Sequence, residues 1–332
     1  MNTLLKPIAA AIILASVLPV LADENDVTRV NQKGNYNDVY VDQAGSHNNI
    51  LINQLQDKNT AELVQSGERN LISVDQKGVG NFAGVAEQSG EDNRIKSKQR
   101  GNENESWAEQ AGANNTLRLR QTGTRNYSES VQQGKKNNAT INQQGESNES
   151  YNTQAGHLND SRSDQQGYLN LIKSEQFGNQ NQVVTKQKGE ENWAYNAQVG
   201  NLNQSTVTQD GIYNTTVTIQ EGENNKSVIS QNGDNNSSDS NQWGNNNVSR
   251  SQTNGNDNVA ISGHEGDENV SYIDQKGDMN LVDGFLTGTE NLFKVKQRGD
   301  LNRAIVCTDG VKNKAFVNQH GNGNDVYLLQ GY

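Results

Sequence analysis

Residues 32–54 read QKGNYNDVYVDQAGSHNNILINQ. Gln32, Gly34 and Asn37 return eleven residues later as Gln43, Gly45 and Asn48, and the stretch closes on Gln54 one period further along. A fixed spacing of this kind marks a repeat architecture in which each unit stacks on its neighbours. With Gln32 as position 0, the frame runs to Gln76, skips one residue, resumes at Gln88 and continues to Gln319. That makes 27 units, followed by a partial one from Gln330. Asparagine holds position +5 in all 27, and glycine holds +2 in all but one, where Gln56 stands. Position 0 is glutamine except at Thr253, His264, Leu286 and Thr308.

The unit is therefore Q-x-G-x-x-N-x-h-x-h-x, with h small or apolar. From +5 to the next glutamine the pattern alternates with period two: Asn37, Val39, Val41 and Gln43 share one face, and Asp38, Tyr40 and Asp42 the other. Period two is the signature of a β-strand, and the intervening x-G-x-x is a turn in which glycine supplies a conformation costly to other residues. Each unit is one strand and one tight reversal.

One strand cannot close a coil, so two of the eleven-residue units form it. Position +7 supports the doubling. It reads Ala61, Ile72, Ala83, Ile95, Ser106, Leu117, which across a two-sheet core sets small against large. The expected fold is an all-β, two-sheet, cross-β solenoid of about 13.5 coils, roughly 65 Å long at about 4.8 Å per rung.

Stacking places identical residues above one another. A lone buried amide is costly, but stacked amides donate to one rung and accept from the other, as in amyloid-like ladders. The expected ladders contain Gln32, Gln43, Gln65, Gln76, Gln88 and Gln99, with Asn37, Asn48, Asn70, Asn81, Asn93 and Asn104. The turn glycines of the same units are Gly34, Gly45, Gly67, Gly78 and Gly90. The extra residue between Asn81 and Gln88 predicts a β-bulge with Ala83 and Ala86 inward. Rungs with serine inside (Ser161 with Ser163, Ser238 with Ser240, Ser249 with Ser251) are expected to be the softer ones.

Composition taken alone points elsewhere. Hydrophobic residues are 31%, aromatics 5%, mean hydropathy is −0.93 and net charge −11, values suited to disorder. Proline contradicts that reading: the only two, Pro7 and Pro19, fall near the N-terminus, so the rest of the backbone is free to use its N–H groups in a ladder. The segment from Met1 to Ala22, with Lys6, an apolar run from Ile8 to Leu18 and a small-residue exit at Ala22, has the layout of a signal peptide rather than a membrane span. The expected organisation is a signal peptide over 1–22 and one solenoid domain over 23–332. The chain's acidity argues against nucleic acid as a partner. Cys307 stands alone, so no disulfide staples the fold, and it is expected to be half-buried and inert.

Neither catalytic nor metal-binding residues stand out, and no cofactor is called for. Acids are scattered over outward and turn positions. His47, His157 and His320 fall in turns, and His264, in the glutamine frame, is expected to substitute in the ladder. The outward positions lack the uniform array of an ice-binding face, and no calcium-binding nonapeptide occurs.

The unit, as in QKGNYNDVYVDQ (32–43), QSGERNLISVDQ (65–76) and QQGKKNNATINQ (132–143), resembles the curlin repeat of bacterial curli fibre subunits. The resemblance implies a subunit secreted unfolded through an outer-membrane pore with accessory proteins. It would polymerise with itself and with other curlin subunits into an extracellular, cell-surface amyloid fibre of the biofilm matrix, and bind host matrix proteins. Two features depart from the familiar subunits: there are many more repeats, and no clear leader precedes the first. Length and regularity favour a fibre builder. The alternatives are a minor, nucleating curlin and a non-polymerising adhesive or ice-binding solenoid. No capping helix is expected, and the final DVYLLQGY keeps Val326, Leu328 and Gln330 in the inward frame.

Overall fold

The computed structural model describes residues 26–331; the proposed signal peptide, 1–22, lies outside the described residues. The described chain forms 28 strands, from β1 (Val27–Lys33) to β28 (Asp325–Gln330), and no helix. Odd strands make one 14-stranded parallel sheet and even strands another, each strand bonded to the one two places along. Partners stand two units apart in the sequence, as in Gln32 with Gln54 and Gln132 with Gln154. The structure is thus a two-sheet β-solenoid of 14 coils, each built from two strand-turn units. The first coil begins at β1, half a unit before Gln32, where Asp26 takes the place of the asparagine.

Alternation decides the faces. In β3 (Asn49–Leu55) Ile50, Ile52 and Gln54 are buried while Asn49, Leu51 and Asn53 are only partly so. Across the core the strands run in opposite directions, so a +7 residue faces a +9 residue of a neighbouring strand and not another +7. Ser97 Oγ meets Ser106 Oγ at 2.9 Å, and Ser262 Oγ meets Ser271 Oγ at 2.6 Å. Small-against-large packing is real but is set between these unlike positions. Phe293, fully buried, fits because its neighbour Gly284 has no side chain: a Cβ there would lie 2.2 Å from the Phe293 ring.

Apolar filling is not continuous. One cluster runs from Ile50 to Ile141 and another from Ala260 to Val317, and the span between holds only a small cluster of Ile172, Ala194, Val207 and Ile229. There the core is largely serine, threonine and asparagine. Several of their polar atoms, among them the hydroxyls of Ser150, Ser163, Thr218 and Ser240, have no partner. Each orphan forfeits about 1–3 kcal/mol.

The bulge in β6 (Phe82–Glu91) differs from expectation. Val85 pairs with Leu63 and is buried; Ala86 is the unpaired extra residue and points outward. The reason is packing: Ala83 and Val85 keep the period-two pattern, and Gly84 between them lies under Trp107, whose ring would be 2.5 Å from a Cβ.

Each turn holds two special backbones. Besides the glycine at +2, the +4 residue just before each asparagine has φ near +55, from Tyr36 and His47 to Leu301 and Lys312. No valine, isoleucine or threonine occurs at +4, as the left-handed region requires. Gln56 is the one +2 residue with a side chain, held at φ 80. Gln56→Gly is expected to stabilise the protein by about 1 kcal/mol, read as a higher urea midpoint at unchanged slope.

Candidate functional site

The geometry that repeats most strictly is the set of amide columns along the two edges of the core. In the odd sheet Gln32, Gln54, Gln76 and Gln99 stand in one file, each Nε2 donating to the next Oε1 at 2.8–2.9 Å. In the even sheet Gln43, Gln65 and Gln88 do the same at 3.2 and 2.7 Å. From Gln54 on these side chains are buried. The direction is fixed because Nε2 also donates to main-chain carbonyls. That of Gln54 reaches the Asp38 and Asn59 oxygens at 3.0 and 3.2 Å, and only Oε1 is left to accept.

The asparagine files work differently from a plain amide ladder. The Nδ2 groups of Asn48, Asn70 and Asn93 donate to the carbonyls of Gly67, Gly90 and Gly112 in the coil above, at 2.8–2.9 Å. Each Oδ1 accepts from the main-chain N–H of the asparagine above, as in Asn70 to Asn48 at 3.1 Å. Along the other edge Asn37, Asn81 and Asn104 also join side chain to side chain: Asn104 Nδ2 donates to Asn81 Oδ1 at 3.0 Å. Most asparagines therefore clamp the turn of the next coil, which accounts for the constancy of +5. Asp26 shows the rule from below: it can only accept, and its Oδ1 takes the Asn48 N–H at 2.7 Å.

Gly34, Gly45, Gly67, Gly78 and Gly90 have φ between 96 and 133. Their coils approach so closely that a Cβ on Gly45 would sit 2.0 Å from the Gly67 carbonyl oxygen. Conformation and proximity both demand glycine.

The columns break where the sequence frame does. Thr253 leaves its own Oγ1 and the Gln275 Oε1 without partners. His264 is buried in the even file but does not continue the ladder. Its Nε2 lies 3.2 Å from Ser262 Oγ on the same strand, its Nδ1 has no partner, and Gln242 donates only to a main-chain carbonyl. An imidazole on a short stem cannot span to the rungs on both sides as a glutamine amide does. Above it Leu286 is fully buried in the C-terminal apolar cluster, so packing replaces the ladder there.

Burial lowers the His264 pKa from 6.5 to about 3. Between those values the unfolded chain binds a proton that the folded one refuses. Stability therefore falls below pH 6.5 by about 1.4 kcal/mol per unit. His264→Gln should reduce the loss between pH 7 and pH 5 by about 2 kcal/mol, measured by urea melts at the two values.

His47 is exposed in a turn; His320, expected in a turn, is instead the exposed last residue of a strand, and His157 is half-buried at the end of another. Among the described residues no group of three or more His, Cys, Asp or Glu is placed to hold a metal ion. Cys307 is free and faces outward, half-buried; burial and then Asp283 raise its pKa, so little thiolate is present.

Fold and columns define a class: a parallel two-sheet β-solenoid welded by polar files, in which repetition replaces a localised pocket. The model of the curlin associated repeat matches residues 22–55, 90–123 and 112–145. The chain carries curlin associated repeats over these residues, which supports membership of the curlin family and suggests a curli-type subunit. No curated protein matches it.

Proposed function

We propose that the chain is the fibre-building subunit of an extracellular, curli-type amyloid that grows by end-to-end addition of copies and serves cohesion and adhesion in a biofilm matrix. The observation that carries this reading is the complementarity of the two ends of the described rod. Val326, Leu328 and Gln330 in β28 are half-buried, whereas Ala304, Val306 and Thr308 one coil earlier are buried. The Gln319 amide faces the next coil position with a donor. At the other end, among the described residues, nothing donates to the Gln32 Oε1. Because 28 strands make whole coils, β1 of a second copy falls over β27 (Lys314–His320) and its β2 (Asp38–Gln43) over β28. Gln32 then meets Gln319, and Asn37 meets Asn324. Open strand edges template further strands, and head-to-tail contact of this kind gives a filament rather than a ring.

Secretion through the outer membrane with its accessory proteins, a signal peptide over 1–22 and co-assembly with other curlin subunits belong to the same proposal. The test is seeded polymerisation of the purified protein. Self-seeded fibres with a reflection near 4.8 Å are expected, about the spacing of paired strands. A protein that stays monomeric and gives no such reflection would refute the reading, and acceleration of a separate curlin subunit by trace amounts would assign a nucleating role instead.

A further inference from the structure

The outward positions +6, +8 and +10 look mixed when all units are read together. Sorted by sheet, they separate. On the odd sheet they carry thirteen Lys or Arg and four Asp; on the even sheet they carry twelve Asp or Glu and two Lys or Arg. The rod is acidic overall, yet one broad face is basic and the opposite one acidic. The densest patches lie back to back. Arg94, Lys96 and Lys98 on β7 (Arg94–Asn102), with Arg118 and Arg120 on β9 (Thr116–Thr124), make the basic one. Glu105 and Glu109 on β8 (Glu105–Ala113), Glu129 on β10 (Tyr127–Lys135) and Glu149 on β12 (Glu149–His157) make the acidic one.

The acidic face is also aromatic. Trp107 Nε1 donates to Glu105 at 2.5 Å, Tyr127 OH to Glu129 at 3.2 Å and Tyr151 OH to Glu149 at 3.1 Å. Rings pack in tilted pairs along the axis, Phe82 with Trp107 at 4.7 Å and Tyr127 with Tyr151 at 5.6 Å between centroids. Burial first, then Glu149, push Tyr151 up to about 12, so it stays a neutral donor that holds its carboxylate in place. Carboxylates fixed between flat rings form a surface suited to guanidinium and ammonium groups, by ion pairing and by cation–π contact. Lys173, 5.4 Å from the Tyr195 ring centre, already shows that contact within the chain.

We propose that the basic odd-sheet face of one rod docks on the acidic, aromatic even-sheet face of a second copy of this chain, side by side and pointing the same way. Charge complementarity selects the occupant. Two basic or two acidic faces repel, so the pairing is heterologous and each rod keeps one face of each sign for further neighbours. Direction follows from position. Copies in the same orientation at the same height bring the β7–β9 patch onto the β8–β12 patch. A reversed copy would meet the sparser charges of the C-terminal third, where Asp283 and Asp325 flank Arg303. Fourteen strands about 4.8 Å apart and roughly 20 Å long give a face on the order of 1,300 Å², above the approximately 800 Å² per partner of a stable interface.

The inference rests on the fibre reading only in that joined rods would bundle, and the experiment separates the two. Fibre length reports end addition, and bundle width reports lateral docking. Wild-type fibres should be thick bundles in about 20 mM salt and single filaments at about 500 mM, where the Debye length falls below about 5 Å. A variant with Arg94→Glu, Lys96→Glu, Lys98→Glu, Arg118→Glu and Arg120→Glu should give long single filaments at low salt. Mixing it with a Glu105→Lys, Glu109→Lys, Glu129→Lys, Glu149→Lys variant, itself unbundled, should restore bundles. Bundles whose width ignores both salt and face reversal, or a mixture that stays single, would overturn the proposal. If no filament of any kind forms, the same variants are compared as soluble rods by sedimentation. Salt-sensitive pairing, lost on reversal and regained on mixing, supports lateral docking alone, and its absence refutes it.

Discussion

Gly145→Val is expected to divide the rod into two parts that melt separately. Gly145 has φ 124, and a Cβ there would lie 2.0 Å from the Gly167 carbonyl oxygen. No rotamer relieves a clash between Cβ and main chain, so the turn must open. It would also lose the bond that Asn126 Nδ2 makes to the Gly145 carbonyl at 3.0 Å. Backbone strain of order 1–3 kcal/mol and a similar overpacking cost sum to about 2–6 kcal/mol at one coil. In a solenoid each coil touches only its neighbours, so a weak coil uncouples what lies on either side. The flanking regions are unlike: an apolar core ends at Ile141, and polar coils follow. Urea melts followed separately by Trp107 and Trp243 should coincide in the wild type and diverge in the variant. Gly323→Ala is the control. Its φ is +69 and nothing lies within 4 Å, so only the left-handed cost of about 1–2 kcal/mol remains. Coincident melts in Gly145→Val would mean that the glycine file does not couple the coils.

Val326→Lys together with Leu328→Lys is expected to slow elongation at the β28 end at least tenfold. In the free rod both residues are half-buried against the C-terminal cluster, and a lysine there can carry its ammonium to water. The free rod then loses only about 1–2 kcal/mol of end packing. A second copy laid over β28 would close that exit and bury two unpaired ammonium groups, at several kcal/mol each, where every 1.4 kcal/mol is about a factor of ten. Seeded growth from fluorescent ends, with thermal melts of the free rod, separates the two effects. Unchanged elongation would place the growing contact elsewhere.

Much of this architecture was legible in the sequence because its cause is local. A glutamine, a glycine and an asparagine every eleven residues specify strand and turn, and the alternation of Ala61, Ile72, Ala83 and Ile95 points to the two-strand coil. What escaped was relational. That +7 faces +9 follows from strand direction across the core, which a one-dimensional frame does not display. Val85 rather than Ala86 turns inward because Trp107, on the next strand of the same sheet, covers Gly84. The asparagine clamp depends on a carbonyl 19 or 20 residues away. Two signals were present but are visible only in another sorting. The left-handed residue shows in the absence of β-branched side chains at +4. The charge of the two faces appears only when odd and even units are separated, since an eleven-residue frame superposes Lys96 on Trp107.

Every Gln–Gln bond in both files points the same way, Nε2 toward the C-terminal coil. Strand backbones largely cancel their dipoles, but these side-chain amides add, as peptide groups do along a helix. The rod therefore has a permanent electrical axis independent of its net charge. A fibre in which copies add head to tail accumulates that moment with length, and it should orient in an applied field with a torque proportional to the number of subunits. A copy inserted end for end would set amide against amide, so polarity is inherited from the first subunit and kept by every later one.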